Sequence, residues 1–385
     1  MPPSRYILGM ETFPALPPQI LPVDGRFGSG PSRIRPEQIA AVSSTGLMGT
    51  SHRQPPVKNL VARIRHGLAE LLSVPSDYTI ALGNGGATAF WDIACASLIR
   101  RTAVFAVSGE FGAKFADEAA AAPHLSAPIV VRANNGELAR LTGRETDGDL
   151  VPDVFAYAQH ETSTGIIAPV ERLGSTDCLT LVDATSIAGG CPVDLTQTDA
   201  YYFSPQKCFG SDGGLWVAIL SPAAVARAEE LSAASDRWIP KFLDLKSAIA
   251  NSVKDQTLNT PAVATLIMLA EQIDWMLDNG GIDAMYARAQ AASDAIYSWA
   301  EASQVARPFV TDPTLRSPVV TTIEFDEAVD AKALAAHLRQ AGIVDIGAYR
   351  GVGANQLRIA TWPATPIEDV HALLTSIDYA LEHRS

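Results

Sequence analysis

Between residues 78 and 220, short apolar runs alternate with stretches that carry apolar residues at helical spacing. A short run of β-branched and aromatic residues is typical of a buried strand, whereas apolar residues that recur every third or fourth position are typical of an amphipathic helix. Strands that alternate with helices usually form a parallel sheet with helices on both faces. The pattern therefore predicts an α/β fold with a mostly parallel sheet; the predicted strands are 78–82, 103–107, 129–132, 154–157, 179–182, 199–203 and 215–220, and helices are predicted over 57–72 and 89–99.

After residue 220 the pattern becomes mainly helical, and it changes again beyond a break at Asn279-Gly280-Gly281. Thr260 and Pro261 are typical of a helix start, with Thr260 as N-cap and Pro261 at the first helical position. The last hundred residues predict a small α+β unit with strands at 319–325, 343–346 and 356–362 and helices at 331–341 and 367–381. We therefore expect an N-terminal arm rich in proline and glycine (1–36), a large domain (37–280) and a small C-terminal domain (281–385).

Composition narrows the class of protein. The chain has a net charge of −13, a pI near 5.0 and 47% hydrophobic residues, which argues against nucleic acid as a partner. No continuous apolar segment is long enough for a signal peptide or a membrane span. The four cysteines lack metal-binding spacing, so we expect no metal site and reduced thiols in a cytoplasmic protein.

Two charged residues lie at the ends of neighbouring predicted strands. Asp183 follows strand 179–182, and Lys207 follows strand 199–203 in the segment Ser-Pro-Gln-Lys. Ligands of open α/β sheets bind where strands end. Pyridoxal phosphate needs a lysine amine for its aldehyde and an anion opposite its ring nitrogen, and these two residues would supply both. Taken alone, Lys207 could equally be a surface lysine and Asp183 a helix cap; the pairing favours the cofactor.

A glycine-rich turn, Gly83-Asn84-Gly85-Gly86-Ala87-Thr88, connects the first predicted strand to a helix. Free backbone N–H groups at a helix N-terminus bind phosphate. The turn matches neither a Walker loop nor the GxGxxG pattern, which argues against a nicotinamide enzyme.

Several other residues are candidates for the site, although each also has a simpler structural explanation. Phe111 at a strand end could stack on a flat ring or belong to the core. Arg53 in a polar loop could bind an anion or remain solvated. His160 could act as a base, but a structural histidine is the commoner case. Arg358 lies between Leu357 and Ile359 in a strand and should project to the opposite face, where it could bind a carboxylate.

These residues together resemble the phosphoserine aminotransferases of the class V, fold-type I pyridoxal-phosphate enzymes, in colinear order over nearly the whole chain. The similarity is closest to actinobacterial members. It rests on the segments FGSGPS (27–32), SHR (51–53), GGAT (85–88), ETSTG (161–165), VDATS (182–186), SPQKCFG (204–210), NTP (259–261) and RGVG…LRIA (350–360).

The resemblance implies a role for each matched residue. Lys207 would bind the cofactor covalently and move protons, and Asp183 would pair with the pyridine nitrogen. Thr162 would contact the ring oxygen, and Phe111 would stack in a position that is often tryptophan. Arg358 would bind the substrate carboxylate. The cofactor phosphate would be held by Gly86, Ala87, Thr88 and Gln206, and by Asn259 and Thr260 across a homodimer; the substrate phosphate would be held by His52, Arg53 and Arg350.

The sequence departs from the family at two positions that border these motifs. His160 stands where many relatives have asparagine, and Tyr349 stands where many have histidine. Tyrosine still donates a hydrogen bond but carries no positive charge. The second change therefore alters the expected phosphate clamp.

The implied activity is reversible transfer of an amino group between glutamate and 3-phosphohydroxypyruvate, with phosphoserine and 2-oxoglutarate as products. A related reaction on phosphohydroxythreonine in pyridoxine synthesis is a second expectation. The rivals are another class V transaminase, such as an alanine–glyoxylate type, and a catalytically inactive scaffold that binds the cofactor. A cysteine desulfurase is disfavoured because no cysteine follows Cys208.

Overall fold

The computed structural model describes residues 13–148, 150–352 and 355–384. The first twelve residues of the predicted arm and Gly353-Ala354 of the RGVG segment lie outside them. The helices are α1 (Pro36–Ser44), α2 (Pro55–Leu71), α3 (Ala87–Ser97), α4 (Glu110–Ala121), α5 (Pro222–Ser232), α6 (Leu245–Ser252), α7 (Val263–Asp278), α8 (Gly281–Ala302), α9 (Ala331–Gln340) and α10 (Ile367–Glu382). The strands are β1 (Thr79–Gly85), β2 (Ala103–Val107), β3 (Ile129–Arg132), β4 (Val154–Ala158), β5 (His160–Glu161), β6 (Ile166–Ile167), β7 (Leu179–Asp183), β8 (Ala200–Phe203), β9 (Gly214–Leu220), β10 (Ala306–Pro308), β11 (Val320–Phe325) and β12 (Gln356–Ala360).

The large sheet has seven strands in the order β1-β9-β8-β7-β4-β2-β3. Strands β3, β2, β4, β7 and β8 are mutually parallel, and β9 alone runs antiparallel to both of its neighbours. The prediction of a mostly parallel sheet flanked by helices is therefore confirmed.

Side chains alternate between the two faces of this sheet, as strand geometry requires. Tyr201 and Phe203 pack into a core cluster with residues of α2 and α7. Tyr202, between them in the chain, packs into a second cluster with Phe90 and Trp91 of α3. Both clusters are apolar and buried, so the sheet is covered on its two faces.

The C-terminal part forms a three-stranded antiparallel sheet, β10-β11-β12, that packs with α8, α9 and α10. The N-terminal segment belongs to the same apolar cluster through Phe27 and, at its edge, Phe13, Leu16 and Leu21. Helix α8 contributes to both units, because Met285 packs in the core of the large sheet and Ile296 in the C-terminal cluster. The division at residues 36 and 280 remains our proposal.

Two predicted elements are wrong in detail. The expected strand 343–346 is absent, since Asp345 has a positive φ of 64° and Val344 makes only an isolated bridge to Arg26. Helix α7 begins at Val263 and has Ala262, rather than Thr260, as its N-cap. The reason is that the Thr260 backbone carbonyl accepts a hydrogen bond from Asn84 Nδ2 at 2.7 Å, which holds this segment against the end of β1.

The short strands β5, β6 and β10 are additions that no sequence pattern indicated, because two or three residues carry no periodicity. Among the helices of the described ranges, none combines the length and apolar character that crossing a bilayer would require.

Candidate active site

A cavity of about 460 Å³ opens at the carboxyl ends of the parallel strands. The register places Asp183 at the end of β7 directly beside Ala158 of β4 and Tyr202 of β8, so these strands end level with one another. The cavity is lined by many of the predicted residues, which come from separate parts of the chain: Gly86, Ala87, Thr88, Phe111, Thr162, Asp183, Gln206, Lys207 and Arg358.

Lys207 lies in the turn after β8 and is only 8% exposed. Its Nζ donates to Thr162 Oγ1 at 3.1 Å and lies 5.2 Å from the centroid of the Phe111 ring. Burial lowers the pKa of Lys207 to about 8; Asp183 acts against this shift and Arg358 adds to it. The amine is therefore partly neutral near physiological pH, as a nucleophilic lysine requires.

Asp183 is fixed by two donors. Trp91 Nε1 donates to its Oδ2 at 3.0 Å, and the Thr185 backbone N–H donates to its Oδ1 at 2.9 Å. Each carboxylate oxygen can accept a further hydrogen bond. Asp183 is therefore oriented and still able to pair with a protonated ring nitrogen. Trp91 was not predicted, since its contact joins a helix to a strand end ninety-two positions away.

The phosphate cradle is formed by the start of α3. Gly86 is the N-cap, and the N–H groups of the first helical turn have no partner within the helix. Gly85, just before it, has φ of 122°, a conformation that glycine adopts readily. Gln206 also lines this cavity, and its Oε1 is buried without a hydrogen-bond partner among the described residues.

Glu161 positions Phe111. Its buried carboxylate accepts from the backbone N–H groups of Phe111 and Gly112 at the start of α4 and from Ser163 Oγ. Burial raises the pKa of Glu161, whereas these hydrogen bonds act in the opposite direction. The arrangement holds the Phe111 ring beside Lys207, where it can stack on a flat ligand.

Arg358 projects from β12 into the cavity, on the face opposite to Leu357 and Ile359, as strand geometry predicted. Its Nη1 donates to the Thr162 carbonyl at 2.8 Å, and its Nε is buried without a partner in the described chain. Burial lowers the pKa of Arg358 to about 10, so the guanidinium remains charged at neutral pH. A desolvated cation with a free donor is well suited to bind a carboxylate.

His160 is connected to Lys207 through hydroxyl groups. Thr162 Oγ1 donates to Ser186 Oγ at 2.6 Å, and Ser186 Oγ lies 2.8 Å from His160 Nδ1. Burial, reinforced by Lys207 and Arg358, lowers the pKa of His160 to about 3. The ring is therefore neutral at physiological pH, and its Nε2 has no partner among the described residues.

The N-terminal segment reaches the cavity through Ser29, Gly30 and Pro31. Ser32 anchors it, because its backbone N–H donates to the Gln206 carbonyl at 2.8 Å and its Oγ donates to the Lys207 carbonyl at 2.6 Å. The segment of the N-terminal arm that carries these residues therefore contributes backbone to the cavity wall.

The structure places another predicted group outside the lining of this cavity. His52 Nδ1 lies 3.3 Å from Thr260 Oγ1, and Asn259 Oδ1 accepts from Asn84 Nδ2 at 2.9 Å. Arg53 donates to Gln256 Oε1 at 2.6 Å and to the Leu258 carbonyl at 3.1 Å.

His52, Arg53, Asn259 and Thr260 therefore form one surface cluster. Arg350 is exposed and also lies outside the cavity lining. Within a single chain these five residues do not line the cavity of Lys207.

The cavity fits pyridoxal phosphate. It combines a phosphate-binding helix start, an aromatic face, a fixed carboxylate and a partly neutral amine. Four of its lining residues also carry buried polar atoms without partners in the described chain, which a polar ligand would satisfy: His160 Nε2, Thr185 Oγ1, Gln206 Oε1 and Arg358 Nε.

No cluster of three or more potential metal ligands occurs in residues 13–148, 150–352 and 355–384. The four cysteines are all free thiols.

Several contributors to the site were not among the predicted residues. Ala158, Thr185, Ser186, Asp212 and Gly213 line the cavity, together with Tyr349, which the sequence marked only as a departure from the family. His160 also lines it and was predicted only as a possible base. The motifs VDATS and SPQKCFG contain or border four of them, so the neighbourhood of these motifs was the available signal.

Comparison with known proteins identifies the family of this chain. The profile of the class-V aminotransferase family matches residues 36–348. A phosphoserine aminotransferase from Nocardioides sp. is 54% identical over 373 residues, which cover 96% of this chain and 98% of that protein.

Solved structures share the fold. A phosphoserine aminotransferase from Cytophaga hutchinsonii has a TM-score of 0.84 and 23% identity, covering 92% of this chain and 99% of its own. An alanine–glyoxylate aminotransferase from Nostoc sp. has a TM-score of 0.80 and 22% identity, covering 94% and 96%. The fold is thus shared by a phosphoserine aminotransferase and an alanine–glyoxylate aminotransferase, whereas the 54% sequence identity is to a phosphoserine aminotransferase. The chain belongs to the class-V aminotransferase family of pyridoxal-phosphate-dependent transaminases, and within that family to the phosphoserine aminotransferases.

Proposed function

We propose that this protein transfers an amino group between glutamate and 3-phosphohydroxypyruvate, producing 2-oxoglutarate and phosphoserine in serine biosynthesis. The observation that carries the proposal is the joint presence of Lys207 and Arg358 in a cavity that fits pyridoxal phosphate. One cation can bind the carboxylate that both substrates share, while the amine lies where the amino group is exchanged. The 54% identity to a phosphoserine aminotransferase supports the choice of substrate.

Pyridoxal phosphate would supply, when bound, an aldehyde that takes up an amino group from one substrate and passes it to the next, and a ring that accepts electrons during the exchange. Lys207 Nζ moves protons between atoms of the reacting group, and Thr162 Oγ1 accepts from it and fixes its direction. Asp183 holds a proton on the ring nitrogen, since a carboxylate within hydrogen-bond reach stabilises the positive charge. Phe111 excludes water from one face of the ring.

Arg358 orients the substrate. Its guanidinium is held by the Thr162 carbonyl, which comes from the same loop that contacts Lys207. The carboxylate is therefore fixed relative to the amine. Positioning of this kind contributes to catalysis because the reacting atoms are brought into near-attack geometry.

The active protein would be a cytoplasmic homodimer with shared sites. In the proposed assembly, Asn259 and Thr260 bind the cofactor phosphate of the partner's site, and His52, Arg53 and Arg350 bind the substrate phosphate. The exposure of this surface cluster and its separation from the cavity of its own subunit support the arrangement. An exposed arginine whose donors already contact Gln256 and Leu258 is oriented in advance for an anion.

The test compares L-phosphoserine with L-alanine as amino donor. Arg53→Ala should lower kcat/KM for L-phosphoserine at least tenfold and lower it much less for L-alanine, because only the first substrate carries a phosphate. Arg63→Ala, at another exposed arginine on α2, is the matched control. Equal losses with both donors, or none, would favour the alanine–glyoxylate type of activity.

A further reaction on phosphohydroxythreonine belongs to the same proposal, since that substrate combines the same carboxylate and phosphate. It predicts parallel losses for both phosphorylated substrates in Arg53→Ala.

A further inference from the structure

Tyr349 stands at a family histidine position, and the structure gives it a cationic partner from another element. Lys114, one turn after Phe111 on α4, donates from Nζ to Tyr349 Oη at 3.0 Å. Tyr349 lines the cavity that contains Lys207 and Arg358. We propose that Lys114 and Tyr349 together bind the phosphate of the substrate within the same subunit; this inference rests on the function proposed above.

The two lysines are close to the same aromatic ring. Lys207 Nζ lies 5.2 Å and Lys114 Nζ lies 5.5 Å from the centroid of the Phe111 ring. In the proposed substrate, only one carbon and one oxygen separate the phosphate from the carbon that carries the amino group. A substrate whose amino group reaches Lys207 can therefore extend its phosphate toward Lys114.

Arg358 and Lys114 both lie close to Tyr349. The Arg358 guanidinium carbon lies 5.1 Å from the centroid of the Tyr349 ring, and Lys114 Nζ lies 5.7 Å from it. Two cations near one ring can bind the two anionic ends of one molecule. Arg358 is the buried one and suits the carboxylate, whereas Lys114 is 45% exposed in its side chain and suits a phosphate that keeps part of its hydration.

The hydrogen-bond roles are consistent with anion binding. An ammonium group only donates, so Tyr349 Oη accepts from Lys114 and its own proton remains available. Phosphate oxygens accept such donors. The bond to Tyr349 raises the pKa of Lys114, so the ammonium remains charged throughout the neutral range. The pair therefore provides one positive charge and one hydroxyl donor. The histidine that many relatives have at position 349 would provide one imidazole group instead.

Glu110 is the group that opposes this role. Its carboxylate lies 3.3 Å from Lys114 Nζ, and the two side chains are 35% and 45% exposed. Ion pairs between partly exposed side chains are weak. A phosphate with about two negative charges therefore competes well for Lys114.

The test uses the holoenzyme and the bleaching of its visible band by single amino donors. Wild-type protein is measured first, with L-phosphoserine and with L-alanine, and the ratio of the two second-order rate constants gives the selectivity. If wild-type protein does not respond to L-phosphoserine, the proposed function fails, independently of Lys114.

Lys114→Met should lower the selectivity for L-phosphoserine about tenfold, through weaker binding rather than a slower maximal rate. Lys114→Arg should recover most of it, and Glu110→Gln should increase the affinity for L-phosphoserine. Lys332→Met, at an exposed lysine on α9, is the control for loss of one positive charge.

Tyr349→Phe should also lower the selectivity, and the double variant Lys114→Met/Tyr349→Phe should lose less than the two single losses combined, because the residues act on one phosphate. The inference is overturned if Lys114→Met retains wild-type selectivity, if it changes only the maximal rate, or if the two losses are independent.

Discussion

The amine of Lys207 is buried, and burial sets the pH range in which this amine is neutral and can react. Burial makes the charged form less stable, and Arg358 adds repulsion, while Asp183 partly compensates. The result is a pKa of about 8 for Lys207 instead of the ordinary lysine value of 10.5. Uptake of an aldehyde cofactor requires the neutral amine.

Cofactor uptake should therefore follow this ionisation. Below pH 8 the amine is mostly protonated, so the rate at which cofactor-free protein binds pyridoxal phosphate should rise with pH and level off above about 8.5. Absorbance stopped-flow between pH 6.5 and 9.5 measures this rate, with N-acetyl-lysine as the unshifted control. A rate that still rises tenfold per pH unit at pH 9.5 would contradict the lowered pKa.

Some residues of the site could be predicted from the sequence, and others could not. Lys207 and Asp183 could be predicted because both follow an apolar run, and the cofactor requires those two chemical groups. Trp91 and Lys114 could not, since their contacts to Asp183 and Tyr349 depend on where helices dock. His160 was a candidate base, but its pKa of about 3 prevents it from accepting a proton near neutrality.

At the scale of elements, the segment before α1 lines one side of the cavity and packs against Lys207. Gly30 has φ of 132°, and a Cβ on it would lie 2.8 Å from Lys207 Cε. Residues other than glycine avoid this conformation, and no side chain fits between the segment and the lysine. Because Gly30 has no side chain, the backbone of the segment can lie directly against Lys207.

Gly30→Ala should displace Lys207 and weaken cofactor binding. We expect a dissociation constant for pyridoxal phosphate raised at least tenfold, which corresponds to about 1.4 kcal/mol. Absorbance titration of cofactor-free protein measures it. Gly347→Ala is the matched control, because a Cβ there meets nothing within 4 Å. Equal affinities of the two variants would show that Lys207 tolerates the added methyl group.

Elements with a strong pattern were predicted well, and those set by long-range contacts were not. The strands 103–107 and 129–132 coincide with β2 and β3 because their apolar runs end at polar residues. The expected cap at Thr260 failed because Asn84, in a distant turn, binds this segment. Residues 343–346 have strand composition, but Asp345 interrupts the extended backbone.

At the scale of the whole molecule, an acidic protein must bind anionic substrates. The net charge is −13, yet Lys207 and Arg358 line one cavity, Lys114 contacts Phe111 and Tyr349 of its lining, and the surface cluster adds Arg53. Local cations decide binding because charges beyond about 8–10 Å are screened at physiological salt. In the proposed homodimer, Arg53 of one subunit would serve this purpose in the site of its partner.

Hybrid dimers test whether Arg53 acts in the site of the partner subunit. Lys207→Ala should abolish turnover, and Arg53→Ala should impair it with phosphorylated substrates. If Arg53 acts in the partner's site, mixed dimers of the two variants contain one intact site, and an equilibrated mixture should recover about a quarter of wild-type activity. If Arg53 acts within its own subunit, no intact site forms, and the mixture should stay at the level of the parents.

The most direct measurement of the central claim is the visible spectrum of the purified holoenzyme before and after addition of L-phosphoserine alone. We predict a yellow band from cofactor bound to Lys207 that L-phosphoserine bleaches readily and L-alanine hardly affects. This result would establish the cofactor, the amino-group transfer and the preference for a phosphorylated substrate together. A yellow band that L-phosphoserine leaves unchanged would contradict the proposed function while leaving the fold and the cofactor site intact.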